Sequence, residues 1–238
     1  MTIQAWLDGD EHDLRHLAEL FTEGDVRVIH GAGEGKYCLR AAELDNPPPG
    51  KTFHETAGNL VLLLNGLART SNASYRPVML SGEYTDGESQ YIVITPKPAN
   101  IRVNATVELT VTKPDGAVAP DPPPPWPRRL ALAAWNPDVA EVLRITGRPE
   151  PLDWHDLYKI REIVSHAIRP QDIVSRRWAN RETDSAFRAS ANRPDVSGSA
   201  ARHARTRGAS PKQTMTIEQG RSYISNLVIK WLDSLGET

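Results

Sequence analysis

The sequence predicts an α+β protein: an N-terminal mixed α/β half with an antiparallel sheet, a proline-rich linker, and a helical C-terminal half. Three observations carry this reading. Short strand-like runs bounded by turn dipeptides follow one another up to residue 112. Six prolines then fall within residues 120–127. Beyond them, apolar residues recur at helical spacing.

Taken in order, residues 12–21 read as a short helix with Leu14, Leu17, Leu20 and Phe21 on one face. Residues 26–29 and 37–39 are strand-like, joined by the turn-rich stretch His30 to Lys36. After Asn46-Pro47-Pro48-Pro49, the leucine-rich stretch 53–69 predicts a mostly buried helix. Residues 77–84, 90–95 and 105–112 read as strands, with Thr85-Asp86-Gly87 and Pro114-Asp115-Gly116 as turns. The proline run favours a stiff, extended conformation, so the chain divides into 1–119, a linker 120–128, and 129–238. Past it, 130–135 is a short apolar run, and Asn136-Pro137 starts a helix to about 145. Asp153 and Asp156 begin another, with Leu157, Ile160, Val164 and Ala167 as its stripe before Pro170. Residues 173–191 read as a helix with an arginine-rich face. Thr216 and Gln219 form a capping box for the last helix, striped by Ile217, Gly220, Ile224, Leu227, Val228, Trp231 and Leu235.

Composition narrows the function classes. Apolar residues at 39% and charged residues at 24% are globular values. No window approaches the roughly 20 apolar residues of a membrane span, so no membrane partner is expected. Met1 to Glu11 carries three acids and no Lys or Arg, unlike a secretory leader. Cys38 is the only cysteine, which excludes an internal disulfide and a multi-cysteine zinc site. Together these features predict a cytoplasmic protein. The net charge of −2 hides an asymmetry: residues 1–120 hold 10 basic and 16 acidic side chains, residues 121–238 hold 18 and 14. The densest basic stretch runs from Gln171 to Lys212, a pattern that marks either a nucleic-acid surface or a solvated face.

Several motif fragments fail on chemistry. Gly50-Lys51-Thr52 lacks the earlier glycine of a phosphate loop, and Pro47, Pro48 and Pro49 have no N–H to offer a phosphate. Gly31, Gly33 and Gly35 lie between strands and do not open a helix. His12 and His16 share a helix face, but Asp13 stands where a zinc protease has its glutamate. No cofactor is expected.

The most distinctive segment is 191–204, ANRPDVSGSAARHA, between two helices and followed by Arg205 and Arg207. With the helix around Leu157-Tyr158-Lys159-Ile160 before it and Met215-Thr216-Ile217 to Trp231-Leu232 after it, it resembles the C-terminal part of many uncharacterised bacterial proteins, over residues 152–235. More distantly, it is similar to the HEPN domains, helical modules of bacterial toxins and defence systems. The resemblance implies metal-independent RNA cleavage by an arginine, a polar residue and a histidine near the start of a late helix. By type, His203 is then the histidine, Arg202 or Arg193 the arginine, and Asn192 the polar partner. Arg188, Arg205 and Arg207 are the accompanying nucleic-acid contacts. The expected function is an RNA-binding or RNA-cleaving module in stress or antiviral defence, with the acidic N-terminal half contacting a protein partner. The alternative is a non-enzymatic interaction module, in which the helices form a homodimer or docking surface.

Overall fold

The structure, a computed structural model, describes residues 2–31, 36–87, 89–93, 125–205 and 211–236. It is α+β, with an antiparallel five-stranded sheet and a largely helical C-terminal half. The expected strand 105–112 and the proline run up to residue 124 lie outside the described residues.

The N-terminal elements are β1 (Gln4–Asp8), α1 (Glu11–Leu20), β2 (Val26–His30), β3 (Tyr37–Ala41), α2 (Ala42–Asp45), α3 (Phe53–Ser71), β4 (Met79–Thr85) and β5 (Gln90–Ile92). The sheet order is β2-β3-β1-β4-β5. The central strand, β1, is one that the sequence reading missed. Its five residues hold only two inward side chains, Ala5 and Leu7, too short an alternation to stand out. Asp10 caps α1 through the His12 N–H, and Leu14, Leu17 and Leu20 are buried. Thr52 and Glu55 cap α3 reciprocally, which is the structural role of the Gly50-Lys51-Thr52 turn. Buried Asn65 in α3 has its carbonyl oxygen accept from Tyr75 Oη (2.5 Å) and Val78 N (3.1 Å), while its Nδ2 donates to Val78 O (2.8 Å). A fully satisfied amide thus fixes the entry of β4 against the helix.

The C-terminal helices are α4 (Trp126–Trp135), α5 (Pro137–Thr146), α6 (Trp154–Ala167), α7 (Arg181–Asn192), α8 (Pro194–Ser197) and α9 (Ile217–Gly236). Two expectations are corrected. The linker expected over 120–128 does not extend to 128: Trp126, Pro127 and Arg128 form the first turn of α4, where proline's missing N–H costs nothing. The helix expected over 173–191 starts only at Arg181, capped by Asn180. Before it, Asp172 and Ser175 exchange local hydrogen bonds and Arg177 takes φ +60°, so the backbone finds its partners outside a helix. Asn136 caps α5, and Thr216 with Gln219 caps α9, as the sequence indicates.

The division at residues 119 and 129 does not separate two cores. Among the described residues, one hydrophobic cluster runs from the sheet through α3 into α4, α5, α6 and α9. Helix α3 is buried on two sides: Ala57, Leu60, Leu64 and Leu67 form one face, Leu63, Gly66 and Thr70 another, and α5 meets the helix with Val139, Val142 and Leu143. The backbones touch where they pass. A Cβ on Gly66 would strike the carbonyl of Leu143, and one on Gly147 would strike that of Leu62. Arg69 of α3 then donates to the carbonyls of Thr146 (2.9 Å), Arg148 (2.9 Å) and Glu150 (3.3 Å), closing the end of α5. Trp231 and Leu227 of α9 are buried in the same core, where α9 packs along α6.

A shared core predicts one cooperative unfolding transition, with far-ultraviolet circular dichroism and tryptophan fluorescence coinciding in urea. Two separated transitions would restore the two-part organisation. Gly147→Ala should cost about 3 kcal/mol or more, because the neighbouring atom is backbone and cannot yield. Trp231→Ala, which empties a fully buried indole site, should cost roughly 3–5 kcal/mol by the same urea measurement.

Candidate functional site

The segment between α7 and α9 forms an open cleft of about 510 Å³, lined by Asn192, Arg193, His203, Ala204 and Arg205. Local chain geometry builds it. Helix α7 ends at Asn192, Pro194 opens the short α8, and Gly198 at φ +59° reverses the chain into a 3-10 turn over Gly198–Ala200. The chain then returns alongside the end of α7: Arg202 N donates to Ala191 O (2.9 Å) and His203 N to Asn192 O (3.3 Å). That return brings His203 beside Asn192, eleven positions earlier in the sequence.

His203 is exposed, and among the described residues its ring has no hydrogen-bond partner. Asn192 is oriented at both ends, its Nδ2 donating to Arg188 O (2.9 Å) and its Oδ1 accepting from Arg202 Nη1 (3.3 Å). Arg193 holds Asp195 through two hydrogen bonds of 3.0 and 2.8 Å, within an arginine side chain only 14% exposed. Arg205 is exposed at the rim, with Nη1 on Ala204 O (3.2 Å). Arg188 is exposed one turn before Asn192. Arg207 lies outside the described residues.

Arg202 does not line the cleft. Its guanidinium lies 4.0 Å over the Tyr158 ring and 3.7 Å from Glu162, both on α6. It braces the return segment against the helices, while the free imidazole beside it faces the cleft. Tyr158, Glu162 and the core beneath them are residues the sequence reading missed. Tyr158 stacks on Phe187 of α7, and Phe187 stacks on Tyr223 of α9, with ring centroids 6.4 and 4.7 Å apart. Below the stack, Asp184 accepts from Arg161 Nε (2.8 Å) and Nη2 (2.7 Å) and from Tyr223 Oη (2.7 Å). Burial lowers the Arg161 pKa, but the bonds and charge of Asp184 outweigh it and leave the group above its ordinary value. Burial, with Asp184 beside it, raises the Tyr223 phenol well above its usual range. The only signal for this network in the sequence is the charged Arg161 interrupting the α6 stripe, and its partner Asp184 is distant in sequence.

The other candidates settle as structural groups. His16 Nε2 pairs with Ser71 Oγ at 2.9 Å, and buried Asp13 accepts from Arg76 N, so His12 and His16 do not converge as ligands. No cluster of three His, Cys, Asp or Glu side chains able to hold a metal occurs among the described residues, and no helix among them is long and apolar enough to cross a membrane.

Asp184→Ala should destabilise by about 3–5 kcal/mol, since it strands the buried Arg161 charge. The raised Tyr223 phenol sets the sign of a pH effect. Its contribution is intact below the unfolded pKa of about 10 and is lost as pH rises above it, because only the unfolded chain then ionises freely. The urea midpoint should therefore fall more steeply between pH 9 and 11 in the wild type than in Tyr223→Phe. Equal slopes would show that Tyr223 does not control the alkaline limb.

Comparison of the chain with family models, curated proteins and solved structures finds no match in any of the three.

Proposed function

We propose that the cleft at Asn192, Arg193, His203 and Arg205 binds single-stranded RNA and cleaves it without a metal, in the cytoplasm and in a defence or stress role. The observation that supports this most directly is the imidazole of His203, without a hydrogen-bond partner among the described residues and exposed on the same cleft wall as two arginines and an oriented amide. Histidine is the side chain best suited to general-base work near neutral pH. Its neutral nitrogen takes the proton of a ribose 2′-hydroxyl, the 2′-oxygen bonds to phosphorus, and the bond to the 5′-oxygen breaks. The leaving 5′-oxygen takes a proton from the imidazolium or from water. Arg205 meets the phosphate and the charge that develops on it, and Arg193, engaged with Asp195, lines the cleft beside it. Asn192, held by Arg188 and Arg202, offers a fixed polar edge beside the reacting group. Arg202 is a positioning residue in this scheme.

The exposed indole of Trp135, at the end of α4, supports a second reading in which this protein docks to a partner. The two readings separate in one experiment. Under the RNase reading, purified protein degrades single-stranded RNA in the presence of EDTA. His203→Ala then loses at least a hundredfold in rate with an unchanged melting temperature, since an exposed ring leaves no cavity. Arg205→Ala lowers turnover and flattens the salt dependence of binding. Arg202→Ala, by contrast, lowers the melting temperature as well as the rate. Absence of RNA cleavage at any salt concentration, with His203→Ala altering association or stability alone, would overturn the RNase reading in favour of docking.

A further inference from the structure

The sheet has a second face, turned away from the helices, on which Arg27 and Arg40 meet within the acidic N-terminal half. Along β1, Ala5 and Leu7 enter the core, so Gln4 and Trp6 point outward. On β3 the outward positions are Cys38 and Arg40, and on β2 they are Arg27 and Ile29. Arg27 and Arg40 are directly opposed across the β2–β3 ladder. Among the described residues neither has an acidic partner, and Arg40 Nε is buried with no hydrogen-bond acceptor. Like charges placed opposite each other cost stability, and a buried unpaired donor costs more. Gln4 and Thr85 continue the same polar row across the sheet, with Thr85 Oγ1 donating to Gln4 Oε1 at 3.4 Å.

Trp6 lies in the next row. Its Nε1 donates to Thr85 Oγ1 on β4 at 3.3 Å, while its far edge reaches the backbone of Gly31 beyond β2, where a Cβ would collide with the ring. The indole therefore spans the sheet across Cys38, its directly opposed partner. Cys38 is fully buried yet takes no part in the core between sheet and helices, as expected of a thiol roofed by that ring. The indole itself is only partly buried. Held at Nε1 by Thr85 and packed at its far edge against Gly31, the partly buried ring keeps some of its surface open.

We propose that this outward face binds a nucleotide unit, with Arg27 and Arg40 holding its phosphate and the Trp6 indole stacking its base. Two guanidinium forks from opposed positions match a phosphate's oxygens. Positions two apart on a strand are about 6.6 Å apart, comparable to the reach from phosphate to base. Base stacking on a tethered aromatic, beside arginines, is the chemistry by which sheet faces hold nucleotides without reading sequence. The site is remote in sequence from the cleft at residues 192–205 and does not rest on the reading of that cleft.

The test uses the full chain with adenosine 5′-monophosphate as probe, measured by isothermal titration calorimetry. Adenosine alone and inorganic phosphate alone should each bind at least tenfold more weakly than the nucleotide. The double variant Arg27→Gln/Arg40→Gln should weaken nucleotide binding at least tenfold while folding at least as well, since it removes a like-charge pair. Arg205→Gln, in the cleft, should leave that binding unchanged. With nitrogen-15 labelling of the six tryptophans, the indole signal missing from Trp6→Phe should be the one that shifts on titration. A short oligouridylate that binds with the same dependence on Arg27 and Arg40 supports the site and identifies the nucleotide as part of a strand. The proposal is overturned if the double arginine variant binds like the wild type, if phosphate binds as tightly as the nucleotide, if binding is lost only with Arg205→Gln, or if no nucleotide binds at millimolar concentration.

Discussion

The close passage of α3 and α5 is the contact on which the rest of the molecule depends. Gly66 and Gly147 let the two backbones meet, and a methyl group at either position would force them apart. The contact places the end of α5 within reach of Arg69, which satisfies three carbonyls there. Burial lowers the pKa of that guanidinium, so the carbonyls repay part of a desolvation cost. The chain leaving α5 is then fixed as far as Leu152, whose carbonyl accepts from Arg221 of α9. One helix of the N-terminal half thus sets the position of α6 and α9, the two helices under the cleft.

The cleft itself has little apolar material of its own. Residues 198–205 are small or charged and carry no buried side chain. Their order comes from two main-chain bonds to the end of α7 and from Arg202 lying on Tyr158. A cation over an aromatic face contributes on the order of 1–2 kcal/mol when partly desolvated. That modest sum acts on a packed partner, because Tyr158 stacks on Phe187 and through it on Tyr223 and the Arg161–Asp184 pair. A loop held at one edge by a rigid stack keeps its free edge open, and His203 is on that edge.

The sequence is most informative where a local rule is complete. Asn136-Pro137, Thr216 with Gln219, and the Trp231 stripe each carry cap or periodicity in adjacent residues, and each is found in place. It fails where structure depends on distant partners. Trp6 and Arg27 look ordinary until register puts them beside Thr85 and Arg40. The shared core is equally hidden, because a helix apolar on two sides does not say which second surface covers it. The proline run looked like a boundary for a sound local reason, yet Pro127 starts a helix whose Leu130 and Leu132 enter the common core. At the cleft, residue types pointed to Asn192, Arg193 and His203, while linear spacing could not show the chain reversal at Gly198 that unites them.

Net charge also misleads about where an anion could bind. Six cations of the basic C-terminal half are engaged by acids of the same half: Arg129 with Asp233, Arg161 with Asp184, Arg193 with Asp195, Arg202 with Glu162, Arg148 with Asp156 and Lys159 with Glu141. At the cleft, the exposed arginines are Arg188 and Arg205. The acidic half, by contrast, places Arg27 and Arg40 side by side, with no acidic partner for either among the described residues. Charges near the surface are screened beyond about 8 Å at physiological salt, so more distant acids do little to cancel the pair locally. Recognition of an anion is decided at that shorter range, by which cations are unspent and whether a flat ring or an oriented amide stands next to them.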